Sequence, residues 1–245
     1  MNISTRIQNT NNKTSSTTTH PSNQPILEIE RGTYWNSFYE STTKKRNTPS
    51  QFAVFVANEL PFFDWIIDLG CGNGRDSLFF HDAGYGVLAV DGSETAISKS
   101  KELIQKSQYK DVSTYFYCEK INQLTYNDIF TTKAKNLSKI IYSRFFLHAI
   151  TETEEDAFME LCTEISISGD VLALEFRTKQ DEGRAKVTAS HYRRFIEPTV
   201  LINKIIANGS WKVIYSAEGT GFAKYNEDDA HVCRVLLVFS DGASQ

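Results

Sequence analysis

The sequence predicts an α/β protein with a doubly wound, mostly parallel sheet of seven strands and an antiparallel strand at its edge. Three observations predict this fold. Short apolar runs alternate with stretches of helical length and pattern, as in consecutive βαβ units. A glycine-rich turn follows the first of these runs, at residues 70–74. The last two apolar runs have no helical pattern between them, which indicates that one of them is antiparallel.

The predicted elements follow one another in a regular order. Strands are predicted at residues 65–68, 86–90, 114–118, 139–143, 171–176, 211–218 and 232–239. Helices are predicted at residues 51–60, 75–83, 93–107, 151–167 and 191–207. Ser93 is expected to cap one of these helices, and Thr151 or Thr153 another, because their hydroxyls accept hydrogen bonds from the first-turn amides.

Length and composition predict one globular domain. The chain has 245 residues, of which 40% are hydrophobic, enough for a single core. Residues 1–24 are rich in Asn, Ser and Thr, so we expect a disordered tail there and the folded domain at residues 25–245. The formal net charge of −4 argues against binding to nucleic acid.

The same composition predicts a cytoplasmic protein. We expect no membrane insertion because no apolar run is long enough to span a bilayer. The four cysteines are scattered without a C-x-x-C pair, which is typical of free thiols in a reducing compartment and argues against a zinc site. We therefore expect no metal.

A carboxylate and three glycines follow the first strand, and they predict a nucleoside pocket. Asp68 precedes glycines at positions 70, 72 and 74, which allow sharp turns and close approach of a ligand. Asp91 ends the second strand about 20 residues later, the spacing at which a carboxylate binds ribose hydroxyls. A dinucleotide motif would have its third glycine where Arg75 stands, and Asp68 would repel a pyrophosphate. A ligand with a cationic amino-acid end fits better.

The D-x-G-x-G-x-G run and Asp91 resemble those of class I S-adenosylmethionine-dependent methyltransferases. The resemblance extends from about Tyr34 to the end of the chain. It implies a Rossmann-like methyltransferase fold with S-adenosylmethionine as cofactor. The residues expected to hold the cofactor are Asp68, Gly70, Gly72 and Gly74 at its methionine end, Asp91 at its ribose, and Trp35, Glu119 and Tyr142.

Two of these cofactor residues have alternative interpretations. Trp35 lies in an aromatic segment that closes over the cofactor in related enzymes, or that simply caps the core. In the family, an aspartate after the third strand often binds adenine, whereas Lys120 stands at the aligned position here. The neighbouring Glu119 is then the candidate, and an exposed Glu-Lys pair is the alternative.

Cationic side chains follow the fourth and fifth strands and predict an anionic acceptor, because guanidinium groups suit carboxylate and phosphate. The expected acceptor-binding residues are Arg144, Arg177, His191, Tyr192, Arg193, Arg194 and Lys224. On a helix over residues 191–207, one of the two adjacent arginines would face the site and the other solvent. Arg144 and His148 are the catalytic candidates.

The role expected of His148 depends on the acceptor. If the acceptor is a hydroxyl, His148 is the general base, since its pKa lies near neutrality. If the acceptor is a phosphate oxygen, it is already anionic and the arginines only orient it. A hydrogen-bonded core histidine is the alternative interpretation.

Three strings are also similar to a bacterial methyltransferase subgroup that accompanies surface-polysaccharide genes: Y-S-R-F-F-L-H, L-E-F-R-T and H-Y-R-R-F. That similarity implies an acceptor oxygen on a phosphate or phosphoramidate group of a capsule or O-antigen precursor. A non-catalytic cofactor-binding scaffold and a nicotinamide-dependent oxidoreductase remain alternatives on the same fold.

Overall fold

The structure is a computed structural model, and it describes most of the predicted domain. The described residues are 24–41, 48–107, 113–125, 136–184, 186, 191–207, 209–225 and 227–241. Apart from residue 24, the tail predicted at residues 1–24 lies outside them.

The helices and strands alternate as the sequence predicts. The helices are α1 (Gln24–Ser41), α2 (Gln51–Glu59), α3 (Arg75–Asp82), α4 (Glu94–Ile104), α5 (Glu152–Ile165) and α6 (Pro198–Ile206). The strands are β1 (Trp65–Leu69), β2 (Gly86–Asp91), β3 (Thr114–Cys118), β4 (Lys139–Arg144), β5 (Val171–Arg177), β6 (Trp211–Gly219), β7 (Lys224–Tyr225), β8 (Asp228–Asp229) and β9 (Val232–Phe239).

Seven strands form one sheet in the order β3-β2-β1-β4-β5-β9-β6. Strands β1 to β5 pair in parallel, and β9 is antiparallel to both of its neighbours. The predicted antiparallel strand is therefore confirmed, and it lies one place inside the sheet, with β6 at the edge. The chain order reverses between β1 and β4, where open α/β sheets bind ligands beyond the strand ends.

Buried side chains alternate between the two faces of the sheet, because successive residues of a strand point in opposite directions. Ile66 packs in the core under α2 and α3, whereas Ile67 packs in the core under α5 and α6. Strands buried on both faces read as continuous apolar runs, which is why the central strands were predictable.

The predicted helix caps are confirmed. The Ser93 hydroxyl accepts from the amide of Ala96, and Thr151 forms a capping box with Glu154. Short polar residues before an apolar helical pattern are thus reliable signals in this chain.

The helix predicted over residues 191–207 is wrong in its first half. Residues 191–197 are not helical, and Ile196 forms a parallel bridge to Thr178 beyond the end of β5. The helix begins at Pro198, whose ring suits the first helical turn but disfavours a helical residue before it. The amide of Arg194 donates to the carbonyl of His148 instead of to a helical neighbour.

Candidate active site

The glycine-rich turn lies at the carboxyl end of β1 and has a left-handed backbone. Gly70, Gly72 and Gly74 have φ angles of 80°, 55° and 74°, which side-chain-bearing residues rarely adopt. A Cβ at Gly70 would lie 2.4 Å from the Phe146 ring, and one at Gly72 would lie 2.4 Å from the Tyr39 hydroxyl. Both the backbone and the space around it therefore require glycine here.

Asp91 lies directly above this turn. One of its carboxylate oxygens accepts from the amide of Gly72 at 2.8 Å, and the other accepts from the amide of Ser93 at 2.9 Å. Burial raises the pKa of Asp91, and these two amide hydrogen bonds oppose that rise. The carboxylate is thus fixed between the turn and the start of α4.

Asp68 is buried beneath the turn and accepts a hydrogen bond of 2.6 Å from Ser77. Burial raises the pKa of Asp68 to about 8. The hydrogen bond from Ser77 opposes this rise, and the repulsion of Asp76 and Asp91 adds to it. A cationic ligand group nearby would favour the charged form of this carboxyl.

A buried network around Asp76 was not predicted from the sequence. Asp76 accepts from the amide and the hydroxyl of Ser50, each at 2.7 Å, and from the Tyr142 hydroxyl at 2.8 Å. Burial opposes the ionisation of Asp76, but Arg75, Arg144 and the Ser50 hydrogen bonds together lower its pKa. The predicted cofactor residue Tyr142 is 1% exposed and lies in the core, where it holds Asp76.

Helix α1 covers the part of the site around the glycine turn and Asp91, which we call the first half. The Tyr39 hydroxyl lies against Gly72, and Trp35 stacks on Tyr39 with ring centroids 6.1 Å apart. Asn36 accepts a hydrogen bond of 2.6 Å from the Ser93 side chain, and Lys99 donates to the Tyr39 carbonyl. The aromatic segment thus reaches the glycine turn, and Tyr39, which the sequence reasoning missed, comes closer to it than Trp35.

The same helix also contacts the second half of the site, which lies at the ends of β4, β5 and β9. Arg31 forms a bidentate ion pair with Glu154, with N–O distances of 2.7 and 2.8 Å. Its guanidinium lies 5.3 Å from the centre of the Tyr192 ring. Tyr34 stacks on His191 with centroids 4.2 Å apart. Helix α1 therefore connects the turn after β1 to the segment before α6.

A row of alternating charges crosses the strands of the second half. Arg144, Glu175 and Arg234 are register partners on β4, β5 and β9. The buried Glu175 accepts from Nε of Arg144 and from Nε of Arg234, both at 2.7 Å. Two cations thus share one carboxylate, and the row carries a surplus positive charge.

The contact between Arg144 and Glu175 uses Nε and leaves the two terminal nitrogens of Arg144 outside it. The Arg144 side chain is 17% exposed, and within the part of the chain that the structure describes these two nitrogens have no hydrogen-bond partner. Arg177 differs, since its terminal nitrogens donate to Asp181 and Asp228, both at 2.6 Å. Only Arg144 of this pair keeps a hydrogen-bonding edge for a ligand.

Phe145 interrupts the end of β4 with a left-handed backbone. Its φ is 56°, and among the described residues it is the only non-glycine with a positive φ. A bulky residue in this conformation costs about 1–3 kcal/mol, which the surrounding structure must supply. The Phe145 amide donates to the Glu175 carbonyl at 2.8 Å and holds the turn.

His148 is buried beside these arginines. Its Nδ1 accepts from the amide of Arg177 at 3.4 Å, which assigns the proton of the neutral ring to Nε2. Burial lowers the pKa of His148 well below its usual value, and the positive charges of Arg177 and Arg193 lower it further. The structure thus brings together the predicted residues His148, Arg144, Arg177, Arg193 and His191.

The two adjacent arginines of the extended segment differ in their contacts. Arg194 donates to Glu155 at 2.6 Å and to the carbonyls of Ile150 and Leu147, so its guanidinium is committed to α5 and the preceding turn. Nη2 of Arg193 lies 3.2 Å from Nε2 of His191. Burial lowers the pKa of Arg193, and the positive charge of the nearby Arg177 lowers it further.

Two predicted site residues lie at the periphery. Glu119 is exposed after β3 and accepts from the amide of Lys120 at 3.1 Å. Lys224 is exposed on the two-stranded ribbon of β7 and β8.

The described residues include no cluster of three potential metal ligands. None of the described helices combines the length and apolar character needed to cross a membrane.

Several solved structures share this fold. TehB from Haemophilus influenzae is 19% identical, with a TM-score of 0.58, over 86% of this chain and 67% of that chain. A SAM-dependent methyltransferase from Anabaena variabilis is 16% identical, with a TM-score of 0.62, over 86% of this chain and 94% of that chain. Magnesium protoporphyrin IX methyltransferase from Synechocystis with bound SAM is 15% identical, with a TM-score of 0.59, over 92% of this chain and 100% of that chain.

At these identities the structural likeness concerns the fold alone, and a search of curated protein sequences found no match to this chain. A family model described as tellurite resistance protein TehB matches residues 29–165, which is more than half of the chain and includes the glycine turn and β4. The chain therefore belongs to the TehB family of class I methyltransferases, and it is an enzyme that uses S-adenosylmethionine.

Proposed function

We propose that this methyltransferase transfers its methyl group to an oxygen of a small anionic acceptor that binds to Arg144. The observation that carries the proposal is the row of Arg144, Glu175 and Arg234, in which two guanidinium groups share one carboxylate. Asp76 also attracts Arg144, but Arg75 lies 3.2 Å from Asp76, so three arginines share two carboxylates. A buried surplus cation is costly unless an anion pairs with it. An acceptor with a phosphate or carboxylate group would supply that charge.

The cofactor would lie on the other half of the site. Asp68 and the glycines of the turn are proposed to hold the methionine end, and Asp91 the ribose. Arg144 is the last residue of β4, the strand next to β1, so an acceptor bound to it would lie near the turn that is proposed to hold the sulfonium. Methyl transfer is an in-line displacement, so positioning of the acceptor supplies most of the acceleration.

The state of His148 favours an acceptor oxygen that is already anionic. A general base works best when its pKa lies near the operating pH, and burial together with Arg177 lowers the pKa of His148 well below that range. Its Nδ1 is also engaged by the Arg177 amide. We therefore propose that His148 donates through Nε2 to the acceptor, and that no base is needed.

The proposed acceptors are small molecules with oxyanion groups. Phosphorylated sugars, including precursors of surface glycans, belong to this class, as the strings around Arg144 and Arg177 imply. The family description names tellurite resistance, so the oxyanion tellurite belongs in the same panel of test acceptors.

The test compares Arg144→Ala with His148→Ala in formation of S-adenosylhomocysteine from this panel. We expect Arg144→Ala to lower kcat/KM for the acceptor by about a hundredfold or more, because a charge-assisted contact is lost. His148→Ala is expected to stay within about tenfold of wild type, below the 10²–10⁴-fold that a general base contributes. Lys212→Ala, at an exposed cation on β6, is the matched control.

Two outcomes would contradict the proposal. Wild-type activity in Arg144→Ala would show that Arg144 does not bind the acceptor. A loss in His148→Ala that equals or exceeds the loss in Arg144→Ala would show that the acceptor needs a base and is a neutral hydroxyl.

A further inference from the structure

The left-handed residue Phe145 places an aromatic ring where a regular strand would not. Successive side chains of a strand point to opposite faces, so Phe145 in an extended conformation would point away from Arg144. With φ at 56° the ring instead lies over the guanidinium of Arg144, with 4.1 Å between Cζ and the ring centre.

The ring of Phe145 contacts a second arginine and the site histidine. The guanidinium of Arg177 lies 5.3 Å from the ring centre. The ring of His148 approaches at 5.3 Å with an interplanar angle of 63°. Because the faces of an aromatic ring attract cations, Phe145 stabilises two like charges that would otherwise repel each other.

Two contacts then define the direction of Arg144. Glu175 binds its Nε at 2.7 Å, and the Phe145 ring lies against its guanidinium plane. Among the described residues, the terminal nitrogens of Arg144 have no hydrogen-bond partner, so they form the edge of the guanidinium that remains for a ligand. The backbone of Phe145 is itself held by the Glu175 carbonyl, which ties both contacts to β5.

We propose that Phe145 is a positioning residue for the acceptor, which acts through Arg144. Its ring holds the guanidinium so that the terminal nitrogens face the acceptor's oxyanion group. The strained backbone is retained because only that conformation brings the ring onto Arg144. This inference rests on the proposed function, in which Arg144 binds the anion.

The experiment measures binding of inorganic phosphate to the protein loaded with S-adenosylhomocysteine. Phe145→Leu keeps an apolar side chain of similar bulk and the same backbone demand, but it removes the aromatic face. We expect phosphate affinity to fall about three- to tenfold, the size of a partly desolvated cation–π contact. Phe145→Tyr keeps the aromatic face and is expected to stay within about twofold of wild type.

A double-mutant cycle distinguishes positioning from general damage. If Phe145 acts through Arg144, Phe145→Leu causes no further loss in an Arg144→Met background. Additive losses would overturn the proposal. The melting temperature and the affinity for S-adenosylhomocysteine check that each variant is folded, and Phe145→Met replaces the leucine variant if that variant is unstable.

The outcomes separate this proposal from the proposed function. If Arg144→Met loses phosphate binding while Phe145→Leu and Phe145→Met match wild type, the role of Phe145 is overturned and the anion site stands. If wild type does not bind phosphate, or if Arg144→Met binds it as well as wild type, the anion site fails and the role of Phe145 fails with it.

Discussion

The two halves of the candidate site carry opposite charges. Carboxylates surround the turn after β1, with Asp68, Asp76 and Asp91 near one another. Guanidinium groups occupy the ends of β4, β5 and β9, where Arg144 and Arg234 share Glu175. S-adenosylmethionine carries a cationic sulfonium and an ammonium group, so the acidic half suits the cofactor and the basic half suits an anion. The chain's net charge of −4 conceals this division.

The two halves also differ in how they are built. The acidic half depends on a short turn and on the next strand, since Gly72 and Ser93 both donate to Asp91. The basic half depends on register across three strands, and β9 comes nearly 60 residues after β5 in the chain. A local motif thus specifies the first half, and tertiary pairing specifies the second.

The largest effect is expected from Asp91→Ala, which tests the acidic half. We expect affinity for S-adenosylmethionine, measured by calorimetry, to fall about a hundredfold. The ribose would lose its charged hydrogen-bond acceptor, and the amides of Gly72 and Ser93 would lose their partner. Glu102→Ala, at an exposed carboxylate on α4, is the control and should bind as wild type does. Unchanged affinity in Asp91→Ala would place the ribose elsewhere.

A pair of glycine substitutions separates backbone strain from lack of space. Gly70 and Gly169 have φ angles of 80° and 95°, but only a Cβ at Gly70 meets another side chain, 2.4 Å from the Phe146 ring. In urea unfolding, Gly169→Ala should lose about 1–2 kcal/mol from strain alone. Gly70→Ala should lose a further 1–3 kcal/mol, roughly, from overpacking. Equal losses would mean that the Phe146 ring moves aside at no cost.

The pH dependence of stability provides a further test of the acidic half, at Asp68. Burial raises the pKa of Asp68 to about 8, so between about pH 4 and pH 8 the folded state holds a proton that the unfolded state has released. The contribution of Asp68 to the free energy of unfolding therefore falls as pH rises through that window, by at most about 1.4 kcal/mol per pH unit. Asp68→Asn should flatten this slope in urea unfolding at pH 5 and pH 8.

Cofactor binding provides a second readout of the same carboxyl. If the ammonium group of S-adenosylmethionine lies near Asp68, binding at pH 7 should release a proton, because a nearby cation favours the charged form. Calorimetry in buffers of different ionisation enthalpy measures this release. Asp68→Asn should release less, and the same release in both proteins would remove Asp68 from the methionine end.

The fold was largely predictable because its signals are local. All seven sheet strands were predicted within about two residues, since each is an apolar run bounded by turn residues. The error before α6 has an equally physical origin. The pattern over residues 191–197 resembles a helix, but the carbonyl of His148 and the end of β5 bind its amides, and Pro198 sets the helix start.

The site was predictable only in part. Arg144, Arg177 and His148 were found because polar residues after buried strands are unusual, and the structure brings them together. Arg234 and Tyr39 were missed, because an arginine in the last strand and a tyrosine in the first helix have no local signal of a shared site. Asp76 lies two residues after the glycine turn, so its position in the sequence is a local signal of the site.

By itself the sequence determined the alternating strands, the glycine turn with its two carboxylates, and the family that they indicate. These features depend on residues close in the chain, where backbone conformation and hydrophobic period act directly. Only the tertiary structure decided that Glu175 joins two arginines, that Arg177 and Arg194 are neutralised, and that the ring of Phe145 lies over Arg144. Those contacts depend on strand register and on one left-handed residue, which no local pattern encodes.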